Sequence, residues 1–418
     1  MDLKKSGIPP RIPSLLTWLL AMLFPVLLHH YWGWIVSTRP HGIRLFFDHW
    51  DLTYYFTSGV WAVGPRRLFV NAGAEYPLLA NLLFGGVRLA SSLTPLLSSP
   101  FDGFAWLWMS ITWFLYVVAL RLVYTSLGRR SILIWLAPAT LYFALLRYDL
   151  YPALACLLAL MDFRKERWIR GAVWFGVCIA FKGYALFLLP PLFVFLVNRV
   201  GMKRACMLAM VALAPFVLGH LIVYRLAGMN GVVAPYRFHL RRRLTDESTY
   251  TAVVFVGEML GLPANVRQGF IGVCSQGVIP IALQVCSAVA AAASRPRTFE
   301  ELVHALLFAV VGFVSFAVFW SEQFILWIAA IACFSSRRVV LVATSVMCWV
   351  TILEFPVLFD LWTEHQREWQ GVMYRREWQT VLAVTSVLRL VIMTSAVPWG
   401  RPRRARESLG LREEDGSD

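Results

Sequence analysis

Long apolar runs separated by short basic clusters are the feature that most constrains how this chain can fold. The runs recur along nearly all of its 418 residues, of which 59% are hydrophobic and only 15% are charged. Soluble globular proteins carry about 25% charged residues, so this chain needs lipid around its helices. Because a backbone in lipid must satisfy its own hydrogen bonds, the pattern predicts an all-α, polytopic membrane protein.

The basic clusters predict how the helices are oriented. Clusters such as those at 164–170 and 337–338 lie between apolar runs, and short loops rich in Lys and Arg usually face the cytoplasm. The net charge of +15 is therefore attributed to membrane orientation, and no nucleic-acid partner is expected. One arrangement satisfies every cluster. It places both termini in the cytoplasm and retains the first run, 14–36, as a signal anchor.

This arrangement predicts about twelve spans in a single domain over residues 1–418. The spans lie near 14–36, 104–124, 131–146, 150–161, 170–182, 185–198, 205–227, 269–292, 300–320, 323–336, 339–359 and 379–398. Between and after them lie a first outer loop at 37–103, a later outer loop at 228–268 and a cytoplasmic tail at 399–418. The apolar segment 77–97 is interpreted as a re-entrant or interfacial helix, because a full crossing would reverse the clusters that follow it.

Several of the predicted spans are too short to cross a bilayer as straight helices. The span at 150–161 would cover about 18 Å of a hydrocarbon core that is roughly 30 Å thick. Non-helical backbone at membrane depth is tolerated where it lines a water-filled cavity. The short spans therefore predict an outward-facing cavity that reaches into the membrane.

The polar residues that interrupt the apolar runs all fall at the outer face in this arrangement. An ionisable group at the bilayer centre costs about 2.5–3.5 kcal/mol on insertion scales, so such groups usually face a wet cavity or each other. The set comprises Asp48, Asp51, Glu75, Arg147, Asp149, Lys182, His239, Arg241, Arg242, Arg243, Asp246, Glu247, Glu322 and Gln323. The three consecutive arginines could equally be solvated loop charges. Glu354 and Arg389, near span ends, are interpreted as snorkelling or structural.

Carboxylates and cations around an outward-facing apolar cavity suit the transfer of a sugar from a lipid-phosphate donor. The cations would hold the departing phosphate, and the lipid tail would lie between helices. A carboxylate would take the proton from an acceptor hydroxyl as its oxygen attacks the anomeric carbon. Trp50, Tyr54 and Tyr55 could stack on the sugar ring, or they could belong to the aromatic belt at the membrane surface.

Five segments, covering about residues 48 to 330, resemble in order the bacterial membrane glycosyltransferases of family 87 in the GT-C superfamily. The first combines Asp51, Tyr55, Gly64 and the stretch EYPL that begins at Glu75, with Leu78 in place of a proline. The second and third are RYDLYPALACLLAL, which contains Asp149, and FKGYALFLLPP, which contains Lys182. The fourth, FHLRRRLTDEST, contains His239, Arg242 and Glu247, and it has Arg243 where glycine is usual. The fifth, WSEQFILW, contains Gln323 and has Glu322 in place of proline.

The resemblance implies a GT-C-like fold in the cell membrane. It also implies an inverting transfer of mannose from a polyprenyl-phosphate donor to a glycolipid or glycan acceptor at the extracytoplasmic face. Asp51 would be the general base. Asp48, three residues earlier, would either favour proton uptake by Asp51 through like-charge repulsion or position the acceptor. Lys182, His239 and Arg242 would hold the phosphate. The other candidate substrate-binding residues are Glu75, Tyr55, Arg147, Asp149, Glu247 and Gln323.

Other classes of function stay open. A secondary transporter or a flippase for lipid-linked sugars also has broken helices and buried charge, although it more often has two related halves with charges near the midplane. In a non-catalytic scaffold the common placement of the outer charges would be accidental. An arabinosyl or glucosyl donor would suit the same site. The sequence shows no cysteine or histidine cluster with metal-ligand spacing, so a metal-independent reaction with no resident cofactor is predicted.

Overall fold

The computed structural model describes residues 14–37, 49–63, 75–93, 97, 99–240, 242, 244–275, 277–364 and 369–397. All regular secondary structure in these residues is helical. This confirms the predicted all-α class.

The α-helices are numbered in chain order. The first ten are α1 (Ser14–His30), α2 (Trp32–Ser37), α3 (His49–Val63), α4 (Leu78–Leu93), α5 (Pro100–Leu127), α6 (Arg129–Trp135), α7 (Pro138–Leu146), α8 (Leu150–Arg164), α9 (Trp168–Phe181) and α10 (Leu189–Val200). They are followed by α11 (Met202–Leu240), α12 (Thr249–Met259), α13 (Ala264–Cys274), α14 (Val278–Ala293), α15 (Phe299–Ser315), α16 (Ile325–Ala332), α17 (Arg338–Ile352), α18 (Phe359–Glu364) and α19 (Trp369–Ser395).

Several apolar helices are broken, and two of the breaks carry polar residues. α6 and α7 meet at a bend of 55°, where Pro138 begins α7 because proline has no N–H to continue the preceding turn. α9 ends before Lys182, whose backbone is extended, and a 3-10 turn follows at Gly183–Leu188. A second 3-10 turn, Glu322–Phe324, precedes α16. Polar side chains are thereby placed between helices and not on a lipid-facing helix surface.

Five helical segments of the described chain are long and apolar enough to cross a membrane. They are Pro100–Leu127, Gly183–Val200, Met202–Leu240, Arg338–Thr363 and Met373–Ser395. The number rises to seven if α6 with α7, and α13 with α14, each form one bent span. This confirms a membrane-type helical protein. The count of twelve spans stays a prediction, since the other apolar helices, such as α4 and α9, are shorter than a full crossing requires.

Two segments that the sequence predicts as outer loops are largely helical. The first, 37–103, contains α3 and α4, and the later one, 228–268, contains the end of α11 and all of α12. Their placement outside the membrane stays a prediction, and aromatic residues of the first segment pack against each other. Tyr55 of α3, for example, stacks on Phe84 of α4 with ring centroids 4.4 Å apart. The interpretation of the segment 77–97, which contains α4, as a re-entrant or interfacial helix stays a prediction.

α8 runs between two ends of the helix bundle, one with Asp149 and the other with basic turns. Its fifteen residues are nearly all buried, and they span about 22 Å. Asp149 precedes the helix at one end. At the other end, the turn after α8 contacts the end of α10 through Glu166 and Arg199, and Asn198 Nδ2 donates to Pro296 O at 3.0 Å. The turns with basic clusters therefore gather away from Asp149.

Candidate active site

Residues from separate parts of the sequence meet at the Asp149 end of α8. α3 contributes Asp51, the segment before α4 contributes Glu75, and the turn between α7 and α8 contributes Arg147 and Asp149. Lys182 lies between α9 and its 3-10 turn. The sequence-predicted site residues thus occupy helix ends that the packing brings together.

Asp51 and Arg147 form an ion pair at the exposed side of this site. Arg147 Nη1 donates to Asp51 Oδ2, and the Tyr55 hydroxyl donates to the same oxygen at 3.3 Å. Tyr55 is itself fully buried and accepts from the backbone N–H of Tyr148 at 3.4 Å. The Asp51 side chain remains 28% exposed. The carboxylate is therefore held in position by buried groups while it stays within reach of a ligand.

Asp149 and Lys182 form a second, deeper ion pair. Lys182 Nζ lies 2.7 Å from Asp149 Oδ1, and Trp327 Nε1 donates to the same oxygen at 2.8 Å. Asp149 is completely buried. Removing the cation partner of a buried carboxylate costs about 3–5 kcal/mol, so Asp149 fixes the position of Lys182.

Aromatic rings surround the Lys182 ammonium. Its Nζ lies 4.6 Å from the ring centroid of Tyr148, 4.9 Å from that of Trp327, 5.6 Å from that of Phe324 and 5.8 Å from that of Tyr76. The faces of aromatic rings attract cations, most strongly where water is excluded. The rings and Asp149 thus favour the charged form of the ammonium in an apolar setting, where its attraction for an anion is strongest.

Glu75, His239 and Arg242 form the third part of the site. Arg242 Nη1 lies 3.8 Å from Glu75 Oε1, and the Arg242 guanidinium lies 3.9 Å from the centroid of Phe319. The His239 ring is nearly parallel to the same phenyl ring at 6.4 Å. Burial raises the pKa of the Glu75 carboxyl, while the charges of Arg242 and Lys182 oppose that shift. Arg242 and Lys182 therefore both act on the Glu75 carboxyl group.

The remaining predicted residues differ in how closely they approach this cluster. Burial raises the pKa of Glu247, and the nearby Thr245 hydroxyl and the charge of Arg242 oppose the shift. Gln323 is buried, and its neighbour Phe324 is the residue that faces Lys182. Asp48, Arg241, Arg243 and Gly64 lie outside the described residues.

Sequence reasoning missed the aromatic residues that hold the charges in place. Tyr148, Tyr76 and Trp327 each contact Lys182, and Trp327 also binds Asp149. The available signal was adjacency, because Tyr148 lies between Arg147 and Asp149 in the chain.

An apolar cavity of about 200 Å³ lies beside the site, between the start of α4 and α11. Its lining includes Pro77, Leu78, Pro215 and Val223, and Pro77 is two residues from Glu75. α11 is interrupted at Gly228, whose φ of 65° is one that residues with a side chain rarely adopt. The cavity is shaped by this break and extends the polar site with an apolar surface.

No group of three or more His, Cys, Asp or Glu residues that could hold a metal ion occurs in the described part of the chain. Metal independence stays a prediction. No protein-family model, curated protein or solved structure matches the chain.

Proposed function

We propose that this protein is a membrane glycosyltransferase of the GT-C type. It transfers a sugar, most simply mannose, from a polyprenyl-phosphate donor to a hydroxyl of a glycolipid or glycan at the extracytoplasmic face, with inversion. The observation that carries the proposal is the juxtaposition of Lys182, Arg242 and Asp51 with an apolar cavity. Few chemistries need a carboxylate, two cations and a lipid-sized apolar surface in one place.

The apolar cavity and the cations would bind opposite ends of the donor. The first isoprene units would lie along Leu78 and Val223, because apolar surface is removed from water there. The phosphate would then reach Lys182 and Arg242. The distance of 3.8 Å between Arg242 and Glu75 is longer than a normal hydrogen bond, so Arg242 can exchange this weak pairing for a phosphate oxygen.

Asp51 would act on the acceptor. It is the half-exposed carboxylate of the site, whereas Asp149 is buried and paired with Lys182. The acceptor hydroxyl attacks the anomeric carbon, its proton passes to Asp51, and the bond to the phosphate oxygen breaks. The lipid phosphate leaves with the electron pair and is stabilised by the cations. Because this is a single displacement, the configuration at the anomeric carbon is inverted.

A transfer assay tests the proposal. Purified protein in lipid nanodiscs is incubated with radiolabelled polyprenyl-phosphate mannose and a membrane lipid extract, and the products are separated by thin-layer chromatography. We expect label to move into a glycolipid or glycan fraction, and polyprenyl-phosphate glucose and arabinose define the choice of sugar. Movement of labelled lipid between the leaflets of proteoliposomes, without any transfer of sugar, would overturn the proposal in favour of a flippase.

A further inference from the structure

A second cluster of buried ionisable side chains lies close to Arg147 and Glu247. Glu322 lies on the 3-10 turn before α16, Glu354 lies just after α17, and Arg389 lies on α19. They are 6%, 0% and 0% exposed, respectively. Of the two interpretations of Glu354 and Arg389, snorkelling or structural, their burial disfavours snorkelling, because neither side chain reaches a surface.

Part of the hydrogen-bonding capacity of this cluster is used by neighbouring hydroxyls. Thr385 Oγ1 donates to Glu354 Oε2 at 2.9 Å. Arg389 Nη2 donates to Ser386 Oγ at 2.6 Å and to Thr249 Oγ1 at 3.2 Å. These bonds fix the orientation of both charged groups.

Other donors and acceptors of the Glu322, Glu354 and Arg389 cluster make no hydrogen bond in the part of the chain that the structure describes. Within the described residues, Glu322 Oε1, Glu354 Oε1 and both Nε and Nη1 of Arg389 have no hydrogen-bond partner. An unsatisfied buried polar group costs about 1–3 kcal/mol, and more if it is charged. Two hydrogen-bond donors and two acceptors at such a cost indicate a site built for a ligand.

The mixture of charges restricts the chemistry of that ligand. Carboxyl oxygens beside a guanidinium give the cluster both acceptors and donors, with no single sign of charge that would favour an anion or a metal ion. A hydroxyl group can accept from Arg389 and donate to a glutamate at the same time. Neighbouring hydroxyls on one pyranose ring therefore match the four open atoms. The face of Trp320 lies against the Arg389 guanidinium, 4.0 Å from the ring centroid, and this cation–π contact holds Arg389 in position for such a ligand.

The cluster adjoins the candidate base. Phe355 follows Glu354, and its ring centroid lies 5.7 Å from the guanidinium of Arg147, which pairs with Asp51. The chain departs from helical geometry at Phe355, with φ −141° and ψ 132°. A ligand bound by Glu354 and Arg389 would thus lie near Arg147 and the candidate base.

We infer that Glu322, Glu354 and Arg389, with Trp320, form a binding site for a neutral carbohydrate. That this carbohydrate is the acceptor rests on the proposed function. The binding site itself does not, because its argument uses only the buried groups and their chemistry.

Saturation-transfer difference NMR on the full chain in lipid nanodiscs tests the site, with methyl α-D-mannopyranoside as the probe. We expect transfer to the ring protons of the probe, and weak or no transfer to mannose 6-phosphate or to cyclohexanemethanol, which lacks neighbouring hydroxyls. Glu354→Gln keeps the volume and an acceptor for Thr385 but replaces the charged acceptor. It should weaken probe binding about tenfold. Trp320→Phe should weaken it about threefold.

His304→Gln is the matched control, because His304 is a buried polar residue bonded to Ser335 away from the cluster; it should bind the probe like the native chain. Thermal unfolding identifies any variant that fails to fold. If Glu354→Gln fails to fold, Trp320→Phe decides the outcome. Equal binding by the native chain and the folded variants, or absence of probe binding to the native chain, would overturn the inference. Probe binding without sugar transfer in the donor assay would refute the proposed function and leave the carbohydrate site standing.

Discussion

At the scale of single residues, Arg147 adjoins both polar clusters. It pairs with Asp51 on one side and lies against Phe355, next to Glu354, on the other. A guanidinium can serve two neighbours because its five donors point in different directions in one plane. Arg147 therefore couples the position of the candidate base to the buried cluster that we assign to the carbohydrate.

Asp51→Asn should abolish most turnover and leave donor binding intact. The amide retains the shape of the side chain and a hydrogen-bond acceptor for Tyr55, but it cannot take a proton. A well-placed general base contributes about 10²–10⁴-fold to the rate, and that is the expected loss in kcat. Asp102→Asn, in the first turn of α5, is the control and should be close to wild type. Normal activity of Asp51→Asn together with loss in Asp48→Asn would assign the base to Asp48.

Lys182→Met and Arg242→Gln should reduce kcat and kcat/KM by about 10²–10³, the range seen when a group that stabilises developing charge is removed. Lys182→Met should also lower the thermal stability, because it leaves the buried Asp149 carboxylate without its partner. The effect on donor affinity should be smaller, because negative charge on the phosphate grows as the sugar departs. Arg267→Gln is a control, since Arg267 pairs with Glu258 away from the site. Initial rates over a range of donor concentrations separate the two constants. An Arg242→Gln enzyme with wild-type kinetics would leave Lys182 as the only phosphate ligand.

At the scale of helices, the site depends on how closely α3 packs against α4. Gly59 of α3 makes this approach possible, since a Cβ there would lie 2.7 Å from the carbonyl oxygen of Phe84. Tyr55, one turn earlier on α3, stacks on Phe84 and binds Asp51. A separation of the two helices would consequently move the candidate base.

Gly59→Val should therefore lower both thermal stability and transferase activity. The clash involves backbone and cannot be relieved by a rotamer change, so a loss of about 1–3 kcal/mol is expected. Gly86→Ala on α4, the helix that Gly59 approaches, is the matched control. A Cβ at Gly86 has nothing within 4 Å, and alanine should stabilise the helix by about 0.5–1 kcal/mol. Thermal unfolding in nanodiscs measures both. Equal melting temperatures for Gly59→Val and the native chain would show that α3 and α4 are not packed this closely.

At the scale of the whole molecule, basic turns and site residues occupy opposite ends of α8. Glu166 and Arg199 meet at one end, and Asp149 binds Lys182 at the other. Because loops rich in Lys and Arg usually stay in the cytoplasm, this separation predicts that the candidate site faces the extracytoplasmic side. It agrees with the chemistry of a donor whose lipid anchor keeps the sugar at the membrane surface.

Cysteine labelling tests that topology. In a chain whose exposed native Cys206 and Cys286 are replaced by Ala, Glu166→Cys and Ser336→Cys should react with a membrane-impermeant maleimide only in inverted vesicles. Thr57→Cys and Asp246→Cys should react in intact cells. All four positions lie outside the buried core. The opposite pattern of labelling would place the site in the cytoplasm, where an extracytoplasmic polyprenyl-phosphate donor could not reach it.

The sequence by itself determined the membrane class, the helical fold and the segments that carry the site. Apolar composition and hydrogen-bond satisfaction in lipid leave few alternatives to helices, and the cost of charge in lipid marks Asp51, Asp149 and Lys182 wherever they interrupt an apolar run. Only the tertiary structure decided which charge faces which. Asp149 and Trp327 are 178 positions apart, and Arg389 and Thr249 are 140 apart. Such contacts depend on the rotation and register of packed helices, for which no local pattern of residues exists.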